Sequence, residues 1–302
     1  MIKKQQLINI SRFIRNYLAI YFPKTFKKFD FRAFNQQDQA AADFKSYAEP
    51  ELFFINELLE PGSTLIDIGS NAGVYLYIFQ KAKKYKRIIG FEPIPILFKR
   101  LRKYFPDLEI FDYAVSDKSE TGIFKIPYID GRIYDTRGTL HNYTEEGETK
   151  SDRISVKKIT LDDFIADHNI EEVSFIKIDI EGHEIAAIDG AKNTICKFMP
   201  LLLIEIEQRH HPETNIDVLF SLITKYNYQG FFFDKADQRF KPLSDFSAAI
   251  HQNLSKMNEY YINNFIFVSD SNFVSITNKF KLIENILRNQ ETIDLQNDRM
   301  HP

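Results

Sequence analysis

The densest set of titratable side chains in this chain is Asp179-Ile180-Glu181-Gly182-His183-Glu184, and a second set follows at Glu205-Ile206-Glu207-Gln208-Arg209-His210-His211. Each set directly follows an apolar run, Val173–Ile178 and Leu201–Ile204, of the kind that fills a central parallel strand. Ligands of open α/β sheets lie off the carboxyl ends of the strands, so both sets should project into one cleft. His183 is the first choice for a general base, because imidazole titrates near neutrality; Asp179, Glu181 and Glu205 are the alternatives. A helix-start histidine that only packs or caps is the other reading of His183. The same carboxylates with His210 or His211 offer oxygen and imidazole ligands for a divalent ion, but the spacing is not specific and no metal is expected.

A second constellation precedes these. Leu65-Ile66-Asp67-Ile68-Gly69-Ser70-Asn71-Ala72-Gly73-Val74-Tyr75 reads as a strand, a tight turn and a helix start. Only 11 glycines occur in 302 residues, so two of them four apart after a strand mark a close backbone approach to a ligand. The next strand, Arg87–Phe91, ends in Glu92-Pro93, placing a carboxylate where two ribose hydroxyls would be held. Dinucleotide folds require G-x-G-x-x-G, whereas this turn is D-x-G-x-N-x-G. Asp67 would repel a pyrophosphate and favour a ligand bearing an amine, such as S-adenosylmethionine.

The elements that must carry these residues alternate along the chain. After the first two strands come a helix through Leu97–Leu101 that stops near Pro106, and a third strand, Leu108–Phe111, which exits through Asp112-Tyr113-Ala114-Val115. Residues 127–153 are polar and without a clear period, and read as a long substrate loop or lid. A short helix at Leu161–Ile165 leads to the strand before Asp179. Strands at Phe231–Phe233 and Phe265–Val268 close the sheet, and a helix through Ile276, Phe280, Ile283 and Leu287 follows. The last dozen residues read as frayed.

Composition limits the function classes. A hydrophobic content of 44% is ample for a core, and a net charge of −3 lacks the basic excess of a duplex nucleic-acid binder. The single cysteine, Cys196, cannot form an internal disulfide and no conventional signal peptide is visible, so a cytoplasmic location is expected. Residues 1–35 carry Lys3, Lys4, Arg12, Arg15, Lys24, Lys27, Lys28 and Arg32 against Asp30 alone. With Leu7, Ile10, Ile14, Tyr17, Leu18 and Tyr21 at helical spacing, this segment reads as an amphipathic helix rather than a membrane span. Packing on the main domain is one reading of it, and peripheral contact with an anionic membrane is the other. The expected division is a helical extension at 1–45, a core domain at 46–269 and a C-terminal helix and tail at 270–302.

In order, DIGSNAGVY, FEP, DYAVSD, GTL (Gly138-Thr139-Leu140), TLDDF, KIDIEGHE and LLIEIE resemble the FkbM family of S-adenosylmethionine-dependent methyltransferases, over residues from about Tyr47 to Val268. The resemblance implies a Rossmann-like, seven-stranded α/β sheet whose last strand is antiparallel, and O-methylation of a hydroxyl. It implies that Asp67, Gly69, Asn71 and Gly73 line the methionine end of the cofactor, with Asp67 meeting its amine. Glu92 would take the ribose, and Asp112 with Ala114 nearby would face the adenine. Tyr75 could lie against the sulfonium or pack in the core. A sugar of a polysaccharide or glycolipid is the expected acceptor and a small natural product the alternative. An NAD-linked oxidoreductase and a non-catalytic scaffold are the competing classes.

Overall fold

The computed structural model describes residues 14–32, 49–141, 143–144, 146–256 and 260–300. Five parallel strands form the centre of the sheet: β1 (Thr64–Ile68), β2 (Arg87–Phe91), β3 (Glu109–Phe111), β8 (Phe175–Ile178) and β9 (Leu201–Glu205). β12 (Asn264–Ser269) inserts antiparallel between β9 and β10 (Tyr228–Asp234), and β11 (Arg239–Pro242) pairs outside β10. The order is β11-β10-β12-β9-β8-β1-β2-β3. Thus the last strand is antiparallel as expected, but the sheet has eight strands rather than seven. The additional strand is four residues of mixed polarity ending in Pro242, a composition suited to an edge and silent as a hydrophobic run.

Side-chain alternation divides the strands between two helical layers. Ile66, Ile68, Ile176, Ile178, Leu202 and Ile204 face α6 (Leu161–Asp167), α7 (Glu184–Asp189), α8 (Lys192–Phe198) and α9 (Asp217–Thr224). Leu65, Phe175, Leu201 and Leu203 face α3 (Glu51–Leu58), α4 (Val74–Ala82), α5 (Pro95–Tyr104) and α11 (Phe273–Met300). Both faces are covered, which is why β1 and β8 are buried along their whole length. The expected contacts of the last helix hold, with Ile276, Phe280 and Ile283 buried, but the helix continues to Met300 where a frayed end was expected.

Residues 127–153 are not the irregular lid that their polarity suggests. They contain the end of β5 (Thr121–Ile129), β6 (Arg132–Ile133), a 3-10 turn at Asp135–Arg137 and the start of β7 (Glu148–Ile159). With β4 (Tyr113–Val115) these make a second sheet, ordered β4-β7-β5-β6. Ile94, Leu97, Ala114, Phe124, Ile126 and Val156 form the small core beneath it. β7 exposes most of its charged residues, so its pattern resembles a loop while its backbone is fully laddered to β5.

Helices at 14–21 (α1) and Pro23–Asp30 (α2) pack on the main domain. Lys27 Nζ donates to the Tyr104 carbonyl and to Gln80 Oε1, and Arg100 donates to Asn16 Oδ1. Ile14, Tyr17, Leu18 and Tyr21 are exposed. Residues 1–13, with the rest of the expected amphipathic helix, and the expected boundary at 45/46 lie outside the described residues. No helix among the described residues is long and apolar enough to cross a membrane.

Phe265 of β12 is fully buried, with the rings of Phe220 and Phe246 each 4.9 Å away. Phe265→Ala should lower stability by about 3–5 kcal/mol in urea unfolding. A loss under about 1 kcal/mol would contradict this packing.

Candidate functional site

The turn after β1 is shaped by what lies against it. Gly69 has φ +83°, and a Cβ there would sit 1.9 Å from the carbonyl oxygen of Asp179, so only glycine lets the ends of β1 and β8 meet. Gly73, also left-handed, abuts Leu101 of α5 and Phe105 just beyond its end and so serves packing; it does not line the cleft. Asn71 sits at φ 43°, a conformation asparagine tolerates better than most residues.

Beside this turn opens a cleft of about 300 Å³ at the carboxyl ends of β1, β2, β8 and β9. Asp67, Gly69, Asn71, Glu92 and Ala114 line it, as do Asp179, Glu181, His183 and Glu205. Both constellations picked out in the sequence therefore share one cavity. Asp112 does not join them. It is the exposed residue joining β3 to β4, and Tyr113, Ala114 and Val115 line the cleft instead.

Each carboxylate has a distinct environment. Glu92 is buried and accepts from the Asn71 and Ile94 amides, both at 2.8 Å; burial outweighs these bonds and raises its pKa to about 7. Asp67 lies opposite Lys177 in the β1–β8 register, is 1% exposed, and neither of its side-chain oxygens accepts a hydrogen bond. Burial raises its pKa, with Lys177 as the partial offset. Lys177 Nζ stands 3.9 Å from Asp67 but 2.9 Å from Asp179, and 4.8 Å from the centroid of the Tyr75 ring. Tyr75 is thus buried against Lys177 by a cation–π contact within the protein.

Burial opposes ionisation of Asp179, but Lys177 and a hydrogen bond from Glu205 outweigh it and keep the Asp179 pKa low. Glu205 shows the complement: burial and the charges of Asp179 and Glu181 push its pKa far above the carboxylate range. The two groups titrate as a pair, with Lys177 favouring charge on Asp179 and the surrounding acids disfavouring it on Glu205. Glu181 is left-handed at φ 54° and lies 3.0 Å from His210 Nε2. His183 Nε2 is 2.9 Å from Ser116 Oγ, and burial first, then Lys158, lowers its pKa to about 4. The expectation of a histidine titrating near neutrality is corrected by that burial: the ring is neutral throughout the physiological range.

Glu207, His210 and His211 lie outside the cleft lining. Glu207 binds Arg209 and Tyr261, and His211 lies 3.2 Å from Glu184. Among the described residues no three His, Cys, Asp or Glu side chains converge as a metal site. The residues that sequence reasoning missed are Lys177, Glu49 and the second sheet's Phe124 and Asp135, all in the lining. A lysine within an apolar strand, two residues before Asp179 and hence on its face, was the available signal for the first.

The family model described as the methyltransferase FkbM domain matches residues 67–273. The chain belongs to the FkbM methyltransferase family. It is 24% identical over 207 residues to the AMB antimetabolite synthetase AmbE of Pseudomonas aeruginosa, a match spanning 57% of this chain and 10% of that protein. It is 28% identical to the 2-O-methyltransferase NoeI of Sinorhizobium fredii, over 47% of this chain and 63% of NoeI. For the hexuronic acid methyltransferase AglP of Haloferax volcanii the identity is 26%, over 52% of this chain and 61% of AglP. The matches thus span less than two thirds of each relative's own length.

S-adenosylmethionine is the cofactor that this family uses, and the cleft fits it. Unpartnered Asp67 oxygens lie at one end, Glu92 lies in the same cleft, and apolar Phe91, Ile94, Phe124 and Leu140 complete the lining. Glu92→Gln should weaken binding of S-adenosylhomocysteine at least about tenfold. Its stability should depend on pH with a definite sign. Ionising the buried carboxyl costs stability between its unfolded pKa and about 7, so that cost is complete at pH 8 and absent at pH 4. The stability of the variant relative to native should accordingly be higher at pH 8 than at pH 4 in thermal melts; the reverse order would refute this assignment.

Proposed function

We propose that this protein is an O-methyltransferase that methylates a hydroxyl of a sugar in a polysaccharide or glycolipid. The observation that carries the reading is the placement of a neutral His183 and the Asp179–Glu205 pair in the same cleft as Asp67 and Glu92. The sugar acceptor is supported by the likeness to NoeI and AglP, whose names specify a 2-O-methyltransferase and a hexuronic acid methyltransferase. The likeness to AmbE keeps a small natural product as the second acceptor class.

When bound, S-adenosylmethionine supplies a methyl group on a sulfonium, open to in-line attack by an oxygen. Glu92 would hold the ribose and Asp67 the amine of that cofactor. His183 is the residue in the cleft best able to take the hydroxyl proton, because its lone pair is available at every pH above about 4. The raised pKa of Glu205 favours its protonated form, which would donate a hydrogen bond rather than take the proton. Asp179 is neutralised by Lys177 and Glu181 is engaged by His210. These groups would orient the other hydroxyls of the acceptor. The apolar second sheet over the cleft would exclude water that would otherwise compete for the acceptor position.

The first experiment is calorimetric titration with S-adenosylhomocysteine and with NAD, followed by a screen of hexuronic-acid and neutral-hexose glycans and of small hydroxylated compounds for transfer of labelled methyl. Binding of the first ligand without the second, and labelling of a glycan, are the expected results. No binding by folded protein would end the methyltransferase reading, and labelling of small compounds alone would select the second acceptor class.

His183→Gln should lower turnover by about 10²–10⁴-fold while leaving affinity for S-adenosylhomocysteine unchanged. In the native enzyme, turnover should stay level from pH 8 to about pH 5.5 and fall toward pH 4, as the imidazole gains its proton. A decline centred near pH 6.5 would contradict the buried, neutral ring.

A further inference from the structure

Glu49 comes from the segment ahead of α3 and reaches the cleft beside Asp67, Tyr75, Lys177 and Asp179. Neither the residue nor its position belongs to the turn that follows β1. The region has an unbalanced charge. Among the described residues three acids, Glu49, Asp67 and Asp179, share the ammonium of Lys177. That ammonium is committed to Asp179 at 2.9 Å, and at 3.9 Å from Asp67 it is beyond hydrogen-bond reach. Asp67 is therefore left 1% exposed, inside the lining, with neither of its two acceptor oxygens paired within hydrogen-bond distance among the described residues. Buried acceptors in native proteins are nearly always satisfied, so a donor belongs here. A cationic donor would also offset the cost of burying these carboxylates in their charged form. Glu51, the next acid along, is directed elsewhere, toward Asn264 at 3.3 Å.

We infer that Glu49 is a cofactor-binding residue, and that Glu49 and Asp67 together receive the α-ammonium of the S-adenosyl ligand across from the Lys177–Asp179 ion pair. This rests on the methyltransferase reading above. The arrangement assigns the cations of the loaded site separately: Lys177 to Asp179, and the ligand's ammonium to Glu49 and Asp67. Burial, offset in part by Lys177, raises the Glu49 pKa, and Asp67 is shifted in the same direction; both are shifts that an added cation would reverse.

The test compares two ligands that differ at this end. S-adenosylhomocysteine carries the amino-acid group, and 5′-methylthioadenosine lacks it while retaining adenine, ribose and sulfur. Glu49→Gln should weaken S-adenosylhomocysteine about tenfold to a hundredfold, the loss appropriate to a charge-assisted hydrogen bond. It should leave methylthioadenosine affinity within twofold of native, which also verifies that the variant is folded. Glu49→Asp should recover part of the loss. Unchanged affinity of Glu49→Gln for S-adenosylhomocysteine would overturn the inference. Equal loss of both ligands would overturn it too, by showing a structural role. Failure of the native chain to bind either ligand would instead sink the methyltransferase reading on which it rests.

Discussion

The pairing of β1 with β8 places Asp67 directly opposite Lys177, and this one register governs the site. A slip of β8 by one residue against β1 would turn Lys177 to the α6–α9 face and set an isoleucine, Ile176 or Ile178, opposite Asp67. The two apolar layers resist such a slip, because Leu65 and Phe175 on one face and Ile66 and Ile176 on the other are all fully buried. The hydrophobic pattern thus fixes where the charges lie. Lys177 in turn holds Asp179 ionised, and an ionised Asp179 accepts the proton-bearing side of Glu205. Removing Lys177 would leave Asp67 and Asp179 without the cation they share.

The second sheet explains why a cleft at strand ends becomes an enclosed site. Phe124, Asp135, Thr136, Gly138 and Leu140 reach it from β5 and the segment that follows, while Tyr113, Ala114 and Val115 reach it from β4. β4 leaves the main sheet after only one intervening residue, Asp112, so the wall and the floor are covalently adjacent. The Lys125 amide and carbonyl both pair with Thr139, anchoring the segment that carries Gly138 and Leu140. An extended ladder, β5 against β7, supports that wall.

Much of this was legible in the sequence because hydrophobic runs, glycine placement and strand-end carboxylates are local signals. Asp67, Gly69, Asn71, Glu92, Asp179, Glu181, His183 and Glu205 all reach the cleft as their strand positions required. Asp112 misled because it sits at a strand end by sequence, yet the chain switches sheets there and turns it to solvent. β7 was invisible because its outward residues are Lys150, Arg153 and Lys157, whose charges mask the period of the buried side. Glu49 lies ahead of any motif and becomes part of the site only by tertiary proximity. The low pKa of His183 was equally hidden, since it depends on burial beside Ser116 and not on any neighbour in the chain.

Proton positions in the cleft follow from depth and counter-charge rather than from residue type. Two carboxyl groups at comparable strand ends differ because Lys177 reaches one of them: it lowers the pKa of Asp179, whereas burial and the neighbouring acids raise that of Glu205 although Asn263 donates to it. The attraction of Asp117 for the charged form of His183 is outweighed by burial and by Lys158, and the ring's 2.9 Å partner, Ser116, supplies only a neutral hydroxyl. Such a ring is a weak base, which is adequate when the hydroxyl becomes strongly acidic only as its oxygen gains the new bond to carbon. A ring held protonated by a carboxylate would have no lone pair at the moment of attack. Burial, which outweighs the attraction of Asp117, is therefore what keeps the His183 ring neutral in a cleft where acids are otherwise abundant.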